Sequence, residues 1–221
     1  MNLRELRLQE SCTAEILQNG VPFRWLTHHI SQIYTYFLPK VDINGSGLIT
    51  LEFGPKSELD VEFDNMLGCT NVFIENFNFR NFYDLSLQER NFALIEEIRA
   101  SLITIHKRKR NNTEVIQAIT STADKVIESG FNLDIPIKKL EKISKDKSIK
   151  IEIHRILNAE VGESWRYSII NRKDRLIIKE DWLSAVPNSL DRRDFYKKSE
   201  MKENIFRIYD NPGNITFELE I

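Results

Sequence analysis

Between Glu58 and Asp64 the chain alternates acid with apolar residues: Glu58, Asp60, Glu62 and Asp64 interleave with Leu59, Val61 and Phe63. Carboxylates in such numbers can hold a divalent metal, act as general acids and bases, or form the charged face of a docking surface. Period-two spacing predicts a strand with the carboxylates on one face and the apolar side chains on the other. Glu52, on the strand expected just before it, can join the acidic face. Like charges this close repel one another and are costly to bury unpaired. The face must therefore look towards solvent, cations or a basic partner. No histidine, phosphate-cradling glycine loop or second acidic motif converges on it in sequence, so metal catalysis has little support there.

A second motif precedes it. Asp42, Asn44 and Ser46 stand where the first three ligands of a calcium-binding EF-hand loop would be, with Gly47 at the turn position. The position for the bidentate carboxylate, however, holds Phe53, and Glu52 arrives one residue early. Gly54-Pro55 then blocks an exiting helix. A turn rich in Asp, Asn, Ser and Gly between a helix and a strand accounts for the same residues. No metal is expected, and these three remain a weak candidate set.

Other chemistry is thinly represented. His28 and His29 are adjacent and diverge by about a hundred degrees on a helix, and His106 and His154 complete no metal-binding spacing. Two cysteines, Cys12 and Cys69, form neither a disulfide framework nor a C-x-x-C unit. Dinucleotide fingerprint, P-loop, nucleophile elbow and zinc-deaminase signatures are absent, so no cofactor and no catalytic residue is expected. Further on, Phe79, Phe82 and Tyr83 belong to a dense aromatic run. Such runs mostly pack between sheet and helix, but exposed they would serve as interface anchors beside the acidic strand.

The elements that must position these residues follow from periodicity. Leu26, Ile30, Ile33 and Phe37 predict a helix over 23–38. Leu48–Phe53 and Glu58–Asp64 read as a hairpin across Gly54-Pro55-Lys56-Ser57, with a third strand at Val72–Phe77. The clearest pattern lies between Ser86 and Gly130, where two helical stripes follow one another. Ser86 with Glu89 makes a capping box at the start, and Gly130 makes the stop. The basic run from His106 to Arg110 falls at the end of the first of these helices, where the helix dipole favours cations, so a nucleic-acid partner is not expected. A short helix is expected from Asp134 with Leu140 and Ile143 on its buried side. A strand meander follows, then a closing hairpin from Ile205 to Tyr209 and Ile215 to Ile221.

The expected fold is α+β, a central helical hairpin (86–130) on antiparallel sheet drawn from both ends of the chain. One domain over 1–221 is expected, with an acidic N-terminal part (1–84), a helical part (85–147) and a β-rich part (148–221) as its natural divisions. The net charge of −2 is uneven: residues 1–84 hold six Lys and Arg against eleven Asp and Glu, giving −5, so the rest carry +3. No apolar run spans a bilayer and the first twenty residues are charged where a signal peptide is apolar, so a cytoplasmic protein without a membrane partner is expected. In general character the chain resembles bacterial immunity proteins that neutralise a toxin domain, a likeness of type that transfers no residue. The expectation is a non-catalytic module whose acidic face, Glu52, Glu58, Asp60, Glu62 and Asp64, engages a basic protein, a toxin domain being one such partner. The alternatives are a loop-assembled hydrolase or nucleotide-processing enzyme with a metal at the same carboxylates, and a subunit of a larger assembly.

Overall fold

A computed structural model describes residues 1–14, 21–188 and 192–221. The chain divides into two compact units, Met1–Asn132 and Leu133–Ile221, so the seam follows the helical hairpin. The architecture is α+β, and among the described residues no helix is long and apolar enough to cross a membrane.

The first unit is built on a four-stranded sheet. β1 (Glu5–Glu10) pairs in parallel with β2 (Leu48–Phe53), and β2 in parallel with β4 (Cys69–Ile74). β3 (Phe63–Met66) closes the sheet as an antiparallel edge on β4. Parallel neighbours need a crossover, and α1 (Phe23–Leu26) with α2 (His28–Phe37) supplies the one between β1 and β2. These two helices replace the single one expected. On β2, Ile49, Leu51 and Phe53 are fully buried while Leu48, Thr50 and Glu52 are half-buried, the alternation of a sheet covered on one face.

The helical hairpin follows as α4 (Leu87–Lys107) and α5 (Thr113–Glu128), after the short α3 (Phe79–Asp84). The capping box is formed in both directions: Glu89 N–H donates to Ser86 Oγ at 3.3 Å and Ser86 N–H to Glu89 Oε2 at 2.9 Å. Gly130 sits at φ +63° just past the end of α5, the left-handed conformation that glycine adopts without steric cost. Leu94, Ile95, Ile98, Leu102 and Ile105 are buried as one stripe of α4, and Ile119, Ala123 and Val126 as one stripe of α5. Each Leu, Ile or Val side chain among them contributes about 1.5–3 kcal/mol on burial. α2 joins this layer through the Tyr34 hydroxyl, which donates to the Ile119 carbonyl at 3.0 Å.

The second unit is strand-rich. β5 (Leu133–Pro136), β7 (Ile149–Asn158), β8 (Gly162–Asn171) and β9 (Ile177–Trp182) pair antiparallel in that order, with β6 (Lys142–Ile143) added to β7. A second antiparallel sheet holds β10 (Lys198–Lys202), β11 (Ile205–Tyr209) and β12 (Ile215–Glu220). Ile151, Ile153, Trp165, Tyr167 and Ile169 share one core with Phe206 and Ile208 of the smaller sheet. The meander and the closing hairpin are as the alternation predicts. The helix expected from Asp134 is instead β5 and a single 3₁₀ turn at Lys138–Leu140. Leu140 is buried as expected, but Ile143 is 47% exposed.

Candidate functional site

The acidic stretch is a loop over most of its length, which corrects the expected hairpin. Strand begins only at Phe63, and the apolar residues meant for a buried face are open: Leu59 is 92% and Val61 66% exposed. The reason lies in the sheet. Both edges of β2 are occupied, by β1 and by β4, so residues 58–62 cannot pair with β2 as the expected hairpin required. Gly54 at φ +109° turns the chain out of β2, and Pro55 has no N–H to continue a ladder. Asp60 then closes a tight turn, its Oδ2 accepting from the Ser57 N–H at 2.8 Å, with Cys12 Sγ 3.4 Å from the same atom. The Ser57 backbone N–H, with smaller contributions from the Ser57 and Cys12 side chains and Lys56, holds this exposed carboxyl below its ordinary range.

The remaining acids meet the basic run at the tip of the helical hairpin. Glu62 Oε1 accepts from Arg108 Nη2 at 2.9 Å, Asp64 lies 3.5 Å from Lys109 Nζ, and Asp42 accepts from Arg110 Nη1 at 2.9 Å. Asp42 also lies 3.3 Å from the N-terminal ammonium group. The helix dipole is thus only part of the reason for the cations between α4 and α5: they neutralise the acidic loop from across the unit. Glu52 and Glu58 have no ion-pair partner among the described residues. Within the basic run His106 is buried, its Nε2 accepting from the Asn112 N–H at 3.2 Å. Desolvation, with Arg110 nearby, lowers its pKa, so it belongs to the neutral structure of the turn.

The EF-hand-like residues are consumed by the turn they build. Asp42 Oδ1 accepts from the Gly45 N–H at 2.5 Å, the Asn44 amide donates to Asp64, and Ser46 Oγ shares a 2.6 Å hydrogen bond with Thr70 Oγ1. Among the described residues no group of three His, Cys, Asp or Glu side chains could hold a metal ion. Phe79, Phe82 and Tyr83 are 8, 5 and 7% exposed, which removes them as interface anchors. They pack with Phe23, Phe53 and Phe77, ring centroids 4.8 Å apart for Phe53 and Phe77 and 4.9 Å for Phe77 and Phe79. A cavity of about 730 Å³ beside this cluster is lined by Thr13 and Tyr83 and by the charged groups of Glu75, Arg80 and Asp84.

Two residues that pattern reading passed over complete the loop's surface. Met66 and Leu67, at the turn from β3 to β4, are 56% and 98% exposed. Leu67 has φ +52° and Gly68 φ +81°, the pair of positive angles a two-residue hairpin turn demands. Asn or Asp is the usual first residue of such a turn, so Leu there carries backbone strain that no packing offsets. The Leu-Gly pair, in a place that calls for Asn-Gly, was the signal available in the sequence. Residues 57–68 therefore present Leu59, Val61, Met66 and Leu67 among Glu58, Asp60, Glu62 and Asp64. Compared with known proteins, the chain matches no family model, no curated protein and no solved structure.

Proposed function

We propose that the chain is a non-catalytic, cytoplasmic protein-binding module that presents loop 57–68 to a basic protein. A toxin domain of the kind immunity proteins neutralise is the partner class we carry forward. The observation that carries this reading is the set of large apolar side chains, Leu59 and Leu67 above all, held in water beside acidic groups. Interfaces of this type take their affinity from a few desolvated apolar anchors and their approach rate and specificity from charge. A partner that suits it has an apolar groove bordered by Lys or Arg. Because Arg108 and Lys109 already engage Glu62 and Asp64, such a partner meets Glu58 and Glu52 first and then competes for the paired acids.

The test begins with recovery of the native complex by co-purification and identification of the bound protein. Surface plasmon resonance of Leu59→Asp with Leu67→Asp then reads the apolar anchors, and Glu58→Lys reads the charge. The apolar pair is expected to raise Kd by a hundredfold or more, at about 1–2 kcal/mol or above per anchor. Glu58→Lys should slow association chiefly at low salt. Unchanged binding by the doubly substituted loop ends this reading.

A further inference from the structure

Among the described residues, β9 is one of the open sheet edges of the second unit. β9 ends the five-stranded sheet, with β8 on one side and, among the described residues, no strand on the other. Leu176, Ile177 and Ile178 are 65, 59 and 59% exposed there. An open edge templates pairing with another chain, and the charges on Lys179, Glu180 and Asp181 restrict that pairing to a strand that complements them. The backbone groups of β9 are also correctly aimed. Leu183 N–H donates to the Trp165 carbonyl at 2.7 Å, which fixes the alternation along β9. From Lys179 onward the pairing is regular, so Lys179 and Asp181 turn their main-chain groups to β8 and Glu180 and Trp182 turn theirs outward, while Ile178 is the extra residue where the register slips between Ile169 and Ile170. The outward N–H of Trp182 is taken up by the Asp181 carboxylate at 2.8 Å, a local cap that a neighbouring strand would replace.

We propose that β9 pairs antiparallel with β9 of a second copy, across a two-fold axis through Glu180, joining the two sheets into one. A two-fold axis perpendicular to a sheet keeps each face on its own side, so facing residues must share a face. Few registers satisfy that rule. Centring the axis on Lys179 or on Asp181 sets identical charges against each other with nothing to neutralise them. Centring it on Glu180 sets Lys179 opposite Asp181 of the partner subunit, a contact made twice, within the regular part of the strand from Lys179 to Trp182. Only the Glu180 carboxylates then face their own kind, and each is already held on β8, by Arg166 at 3.2 Å and by the Ser168 hydroxyl at 2.8 Å. This self-complementarity selects a second copy over an unrelated strand. The contact is made by the second unit alone and does not depend on the binding reading of loop 57–68.

Sedimentation velocity of the full chain over a concentration series reads the association directly. The native chain is expected to show a reversible monomer to dimer equilibrium. Lys179→Glu places like charges opposite each other twice and should weaken it about tenfold. The swap Lys179→Asp with Asp181→Lys restores complementarity and should restore the dimer, which a merely structural effect of either substitution would not do. In a Cys12→Ser, Cys69→Ser background, Glu180→Cys should cross-link under mild oxidation and Lys179→Cys should not. The Cα separation of about 5.5 Å in a hydrogen-bonded pair lies within disulfide reach, whereas Lys179 faces residue 181 and not itself. A monomer at every concentration, a dimer indifferent to Lys179→Glu, or cross-linking through position 179 overturns the proposal.

Discussion

Arg108 donates to Glu62 at 2.9 Å across 46 residues of sequence, tying the tip of the helical hairpin to the acidic loop. Both side chains are about a third exposed, so water screens the attraction heavily. A double-mutant cycle on Glu62→Gln and Arg108→Gln, followed by urea unfolding, should give a coupling of about 0.2–1 kcal/mol at low ionic strength. In about 1 M salt, where the screening length falls to about 3 Å, the coupling should vanish. A coupling that persisted there would mean the pair is desolvated in solution, and a basic partner could not compete for Glu62.

Leu67 separates stability from binding. Its left-handed backbone costs about 1–2 kcal/mol relative to a residue suited to that conformation, and its side chain is almost wholly in water. Leu67→Asn should therefore stabilise the chain, by about 0.5–1 kcal/mol in urea unfolding, while weakening capture of the partner. A loss of stability would show that Leu67 packs on the chain itself, and would withdraw it from the proposed surface.

The aromatic run should divide sharply from the loop it follows. Phe82 sits at 5% exposure, 5.2 Å from Phe77 and 5.7 Å from Phe23 between ring centroids, so Phe82→Ala should cost about 3–5 kcal/mol. Leu59, at 92% exposure, should tolerate Ala within about 0.5 kcal/mol. Both values follow from chemical denaturation midpoints. Near-equal costs would contradict the exposure that separates the two positions.

What could be read from the chain alone was what local periodicity controls. The stripe from Leu94 to Ile105 and the Ser86–Glu89 box needed only neighbours three and four residues away, and the meander needed only alternation between Ile149 and Ile178. The acidic stretch failed on a non-local fact. Its alternation matches a half-buried strand, but β1 takes one edge of β2 and β4 takes the other. Charge pairing was equally out of sight, because the cations facing Glu62 and Asp64 lie more than forty residues downstream and had a sufficient local explanation in the helix dipole. The candidate surface is therefore the acidic loop with the exposed Leu59, Val61, Met66 and Leu67, while Phe79, Phe82 and Tyr83 are buried.

His29 gives the fold a pH dependence that can be isolated. It is 1% exposed on α2 and its Nε2 meets no hydrogen-bond partner. Burial, with His28 beside it, lowers its pKa to about 4. In the unfolded chain the imidazole takes a proton near pH 6.5, whereas the folded chain resists until near pH 4, so between those values the unfolded state binds more protons. Stability from this residue is complete above about pH 6.5, falls as the pH drops, and levels off below about pH 4. The loss is at most about 3 kcal/mol at 1.36 kcal/mol per unit. Carboxylates and His106 titrate over overlapping ranges, but they are common to the native chain and to His29→Leu. The unfolding free energy of His29→Leu minus that of the native chain should therefore rise as pH falls from 7 to 4. A difference that stays flat over that range would mean that His29 is protonated, or reaches water, in the folded protein.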